Sequence, residues 1–220
     1  MNKLKSVVRK PRQSNVELLR IIAMIMVLAI HATFETFGYA HAKSILANPC
    51  SWLGIMTSAS ACFGCVDIFI LITGWFGTSF KLRGALRLAA QVVFISLAMY
   101  PFLLLLGKEM PKNFYDFIEV IWGYWFIRCY LVLYLFTPVL NSYLQSVDEK
   151  TLRHFLLAFF AITIPFSFVS PDLSYGYSTL SFMGLYMLGR YLRLYLSARL
   201  MHINKYYFLL IWAVCILLMS

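Results

Sequence analysis

Charge is what this chain has least of. Asp, Glu, Lys and Arg together make up 13% of its 220 residues, about half the usual share in a soluble domain, and an ordinary water-soluble fold is thereby excluded. A cleavable leader is not expected either. The first apolar run is long for such a segment, contains Arg20 and His31, and has no clear small-residue cleavage site. Of five cysteines, the close pair Cys62 and Cys65 lies inside an apolar run beside Gly64, with no second pair and no nearby histidine. That pair reads as small polarisable packing residues, and no metal site is expected. No nucleotide-binding loop is legible. The formal net charge of +10 sits in short segments between apolar runs, so it speaks for membrane topology rather than for nucleic acid.

What the chain has in abundance is apolar length. Hydrophobic residues reach 61% and aromatic residues 17%, and the mean hydropathy is +0.76. The expected fold is an all-α polytopic transmembrane helix bundle in the lipid bilayer, with interfacial Trp and Tyr. Residues 1–16 form a basic cytosolic lead, and residues 17–220 the membrane domain. Seven spans are predicted, at about Glu17–Phe37, Trp52–Phe76, Leu86–Leu106, Phe117–Leu140, His154–Val169, Ser178–Leu192 and Tyr206–Met219. The third is expected to bend or end near Pro101. With the N-terminus in the cytosol, the basic groups at 3–12, 81–87, 150–153 and 190–205 all fall inside, and only Lys43, Lys108 and Lys112 fall outside, as the positive-inside rule requires. The chain stops at Ser220 at the end of an apolar run without flanking anchors, which suggests the front part of a longer protein.

The first span, ELLRIIAMIMVLAIHATFE from Glu17 to Glu35, carries ionisable groups that a plain anchor would avoid. Arg20 and His31 are eleven residues apart. Eleven helical steps of about 100° return to within roughly 20° of the start, about 16 Å further along the axis. Both side chains therefore share one face, with Glu17 three residues before Arg20 and Glu35 four after His31. This polar stripe reads as functional. Asp67 and Arg128 are further charges within apolar spans. Each reads either as a buried pairing partner or as a ligand contact, with Glu17 a second possible partner for Arg128. Arg83 and Arg87 are four apart, and read either as topogenic charge or as a clamp for the phosphates of an anionic cosubstrate. Gly74 suggests a close turn. Trp122, Trp125 and Tyr134 read as interfacial belts or packing rather than as a sugar platform.

These residues, in this order, resemble the integral-membrane acyltransferase 3 family. Arg20, ten residues and His31 fit the signature of its opening helix. VDIFILITGWF (Val66–Phe76) is similar to its second helix, with Thr73 where serine is common. FKLRGALRL (Phe80–Leu88) resembles its Arg-rich cytosolic segment, and YWFIRCYLVLYLFTPVL (Tyr124–Leu140) and FMGLYMLGRYL (Phe182–Leu192) resemble later spans. The match runs from about residue 13 to 195.

The resemblance implies a multi-pass enzyme of bacterial plasma membrane type. Such an enzyme moves an acyl group, usually acetyl, from acyl-CoA to a hydroxyl of an extracytoplasmic glycan or related acceptor. Acyl-CoA is then a cosubstrate, with no bound cofactor. Family cores of about ten spans would leave this chain with roughly the first two-thirds. The expected catalytic group is His31 as base, Glu35 to orient its ring, and Arg20 to hold CoA phosphate or developing charge. Glu17, Asp67, Arg83, Arg87 and Arg128 are the candidate substrate-binding residues. Both direct transfer and an acyl-histidine intermediate are open. Two other readings remain: an exporter of polysaccharide or lipid-linked sugar, with the stripe lining a path, and an inactive truncated member of the family.

Overall fold

In a computed structural model, residues 14–38, 42–107, 123–169 and 176–219 are described, and among them every regular element is a helix. In chain order these are α1 (Ser14–Phe37), α2 (Ala42–Ala47), α3 (Pro49–Cys62), α4 (Cys65–Phe76), α5 (Leu82–Leu105), α6 (Trp125–Ser146), α7 (Glu149–Val169), α8 (Thr179–Tyr191), a π-helical turn (Leu192–Leu196), α9 (Ser197–His202) and α10 (Lys205–Met219). The chain divides into two compact units, residues 1–72 with 202–220, and residues 73–201.

Four described helices are long and apolar enough to cross a membrane: Ser14–Phe37, the pair α3–α4 taken together as Pro49–Phe76, Leu82–Met99, and Trp125–Ser146. They correspond to the first four expected spans, with shifted ends. Pro49 opens α3 at its first turn, where a missing N–H costs nothing. The second expected span is interrupted for one turn at Phe63–Gly64. Phe63 stays in the right-handed helical region and Ile68 N–H already bonds the Gly64 carbonyl, so the helical path resumes at once. Pro101 lies inside α5, which continues to Leu105. The fourth helix begins at Trp125, and the expected start at 117–122 lies outside the described residues. At its other end it runs on to Ser146, past the expected Leu140. The polar residues Asn141 and Ser146 are accommodated within the helix. The Ser146 hydroxyl donates to the Tyr143 carbonyl, and Asn141 is bonded to a neighbouring element.

α7 starts at Glu149 rather than His154 because Asp148 caps it: its carboxylate accepts from the Thr151 N–H at 3.1 Å and from the Thr151 hydroxyl at 2.6 Å. These two bonds hold the Asp148 carboxyl below its ordinary range. α8 is capped by Ser178, whose Oγ accepts from the Ser181 N–H at 3.2 Å.

In the first unit α1 packs on α3, and α3 on α10. The most buried side chains on α1 and α3 are small, Ala23, Ala59 and Ser60, the residue sizes that let membrane helices approach closely. The rings of Phe34 and Phe63 lie 6.2 Å apart. In the second unit α6 and α7 both pack on α8. α8 is the core, with Phe182, Gly184, Tyr186, Met187, Gly189 and Tyr191 all buried. Its glycines are places of contact rather than of flexibility. A Cβ on Gly184 would strike the Phe159 ring.

Hydroxyls within the apolar helices turn back on their own backbone. Thr33, Thr57, Ser58, Thr163 and Ser167 each donate to the carbonyl four residues earlier, which satisfies them where water is absent.

Candidate active site

The expected site residues fall on both units. Glu17, Arg20, His31, Glu35 and Asp67 belong to the first, and Arg83, Arg87 and Arg128 to the second.

α1 places its ionisable groups beside its packing face, not on it. Ala23 is fully buried, and Val27, Ile30 and Phe34 are half-buried. On a helical wheel these four lie within about 60° of one another, and Arg20 and His31 lie roughly 60–80° to one side. Glu17, Arg20, His31 and Glu35 are all exposed. The stripe read from the sequence is therefore a continuous open flank of the helix. Arg20 Nη1 donates to Glu17 Oε1 at 3.3 Å, so the guanidinium is drawn toward the N-terminal end. His31 and Glu35 stand one turn apart, with no hydrogen bond between them among the described residues. Imidazole and carboxylate are thus neighbours on one open face, the arrangement in which a bound hydroxyl could reach the ring.

Asp67 sits in the first turn of α4 and is half-buried. Arg128 is exposed in the first turn of α6. The pairing expected of them would join residues of different units. Arg83 and Arg87 are both exposed on the first two turns of α5, one turn apart on a shared side.

What the sequence did not disclose is how the turn between α4 and α5 is fastened. Gly74 does not make the close turn expected of it. It lies within α4, where a Cβ would strike the Tyr186 carbonyl oxygen, so α4 and α8 meet backbone to backbone. The turn comes at Gly77, with φ +69°, a left-handed value that favours glycine. Thr78 is then held from both sides. Its N–H donates to the Tyr186 hydroxyl at 3.1 Å, and its carbonyl accepts from Asn141 Nδ2 at 2.8 Å. The Tyr186 hydroxyl donates to Asn141 Oδ1 at 2.8 Å, which closes the network on a side chain with no exposed surface. Three residues on, the Lys81 N–H donates to the Tyr134 hydroxyl at 3.0 Å. That hydroxyl also lies against Gly84, where a Cβ would come within 2.7 Å. The basic segment with Arg83 and Arg87 is thus carried on a rigid base. The one available signal was the glycine spacing 74, 77 and 84. The tyrosine and asparagine partners are 50 to 110 residues away in sequence and have no local signature.

Trp125 packs on Tyr177 and Phe182 at ring distances of 5.1 and 6.1 Å, a packing role; Trp122 lies outside the described residues. An apolar groove of about 450 Å³ lies between α7 and α8, lined among others by Leu156, Phe160 and Leu188. Arg153 and Tyr191 are the polar residues on its lining.

A family model described as an acyltransferase domain matches residues 13–220 of the chain. No curated protein and no solved structure matches it.

Proposed function

The chain belongs to the acyltransferase family whose domain it matches from residue 13 to 220, and from that premise we propose that it moves an acetyl or other short acyl group from acyl-CoA to a hydroxyl of an extracytoplasmic glycan. That it is a multi-pass membrane protein is carried by the apolar helices and by the family. Donor, acyl group, acceptor and a bacterial plasma membrane are the reading offered here.

The observation that carries this reading is the open flank of α1, on which His31 and Arg20 are presented to one side of the packing face. In the proposed reaction the neutral imidazole of His31 takes the proton of the acceptor hydroxyl as the oxygen attacks the thioester carbonyl. The tetrahedral oxyanion collapses, the C–S bond breaks, and the departing thiolate recovers the proton from the imidazolium. The products are an ester and free CoA thiol. Glu35, one turn on, orients the imidazole ring. Arg20 stands about 16 Å toward the N-terminal end. With that end in the cytosol, Arg20 faces the side from which acyl-CoA arrives and can hold its phosphates. Arg83 and Arg87, one turn apart on α5 in the second unit, form by themselves a cationic pair suited to phosphate oxygens. Asp67, Arg128 and Glu17 are proposed as further substrate-binding groups.

The test is transfer of label from radiolabelled acetyl-CoA to surface glycan, in membranes carrying equal amounts of wild type or His31→Ala. Loss of a general base lowers turnover by about 10²–10⁴-fold, so label should all but vanish in the variant. Equal label in both would remove His31 from the chemistry. No label in either, with glycan still reaching the surface, would favour export.

A further inference from the structure

The α4–α5 turn, the last turns of α6 and the end of α8 line an open pocket of about 330 Å³ within the second unit. Gly77, Thr78 and Ser79 form one wall, Asn141 and Gln145 a second, and Arg190 a third. No carboxylate is among the residues that line it.

Arg190 is half-buried. Among the described residues its guanidinium has neither a hydrogen bond nor an ion pair. A cation withdrawn from water without a counter-charge is unfavourable, and a chain that needed only a topogenic arginine could extend it to solvent. Here the side chain is seated instead. A Cβ on Gly77 would come within 2.9 Å of Arg190 Nη1, so the left-handed glycine leaves the space in which the guanidinium rests. Both ends of the Asn141 amide are already bonded, to Thr78 and Tyr186. The groups left to receive a ligand are the guanidinium fork, the Gln145 amide and the Ser79 hydroxyl.

Donors therefore converge from three elements on a space without acidic groups. That chemistry suits an anion with several oxygens in a tetrahedral arrangement, for which arginine is the preferred clamp. The cavity is larger than a carboxylate needs. It adjoins the basic segment of Lys81, Arg83 and Arg87, which the positive-inside rule puts in the cytosol.

We infer that this cavity is a phosphate-binding pocket, with Arg190 as its charged clamp and Gln145 and Ser79 as neutral donors. The inference concerns the second unit alone and stands whether or not His31 is the base. The phosphate can belong to a soluble cosubstrate or to a lipid headgroup, and one experiment separates these sources. The purified chain in uncharged detergent is titrated calorimetrically with coenzyme A. In parallel it is titrated with mixed micelles of phosphatidylglycerol in phosphatidylcholine, against phosphatidylcholine alone. Binding of coenzyme A that the Arg190 variant weakens identifies the soluble source, and binding of phosphatidylglycerol that it weakens identifies the lipid.

In either case Arg190→Gln should weaken binding about tenfold or more, and Arg190→Lys less. Gln145 is exposed and its amide makes no hydrogen bond among the described residues, so Gln145→Glu keeps the fold while placing a negative charge in the cavity. It should weaken binding at least as much, and it decides the matter if Arg190→Gln does not fold. Binding of neither probe at millimolar concentration, or wild-type binding in folded Gln145→Glu and Arg190→Gln, overturns the inference.

Discussion

Tyr186 and Ser96 show how differently two buried hydroxyls can stand. The Tyr186 hydroxyl joins Thr78 to Asn141, so Tyr186→Phe leaves the Thr78 N–H and Asn141 Oδ1 unpaired in a partly buried place. That should destabilise the chain by about 1–3 kcal/mol. Ser96 Oγ is buried with no partner among the described residues. Removing a group that is already unpaired takes nothing away, and Ser96→Ala should be neutral or stabilising by up to about 1 kcal/mol. Thermal unfolding of both variants in one detergent checks the pair. A loss for Ser96→Ala equal to that for Tyr186→Phe would show that hydrogen bonding is not what distinguishes them. His31, Arg20, Asp67 and Arg128 were legible as candidates because an ionisable residue in an apolar run stands out in any sequence. Tyr186, Asn141 and Thr78 were not, since tyrosine, asparagine and threonine are unremarkable there until their partners are known.

Among the elements, α7 depends on its cap. Two donors from Thr151 hold the Asp148 carboxyl below its ordinary range. A lowered value in the folded state means that the contribution is present above the unfolded value, about 3.9. It is lost as the pH falls through the lowered folded value. The protection of the Thr151 amide from hydrogen exchange, taken relative to its intrinsic exchange rate at each pH, should therefore be retained at neutral pH and fall on strong acidification. In Asp148→Asn, whose neutral side chain can still cap, that pH dependence should disappear. In Asp148→Ala, protection should be low throughout. A wild-type pH profile in Asp148→Asn would assign the protection elsewhere. Element boundaries were the least legible feature for the same reason that caps matter. Asp148 and Thr151 begin α7 through side-chain bonds, while the hydropathy pattern places its start only at the first strongly apolar stretch. The break at Phe63–Gly64 was hidden too, because the apolar composition runs unchanged across it.

For the whole molecule, orientation is the property on which the proposed chemistry depends, since acyl-CoA must reach Arg20, Arg83 and Arg87 from the cytosol. Single cysteines placed at Lys150 and Lys112 in a cysteine-free background test it. An impermeant maleimide added to intact cells should label position 112 and spare position 150, and both should react once the membrane is opened. The reverse pattern would invert the chain and remove the donor path. The sequence by itself determined the helical class, the membrane setting, the family and the polar flank of α1. Hydropathy and helical period are properties of consecutive residues and need no fold to be read. Only the tertiary structure decided which face of α1 is packed, that Gly74 marks a backbone contact with α8, and that Gly77, Gln145 and Arg190 line one open pocket. Those residues lie on three elements more than 40 positions apart, and packing alone brings them within reach of a single anion.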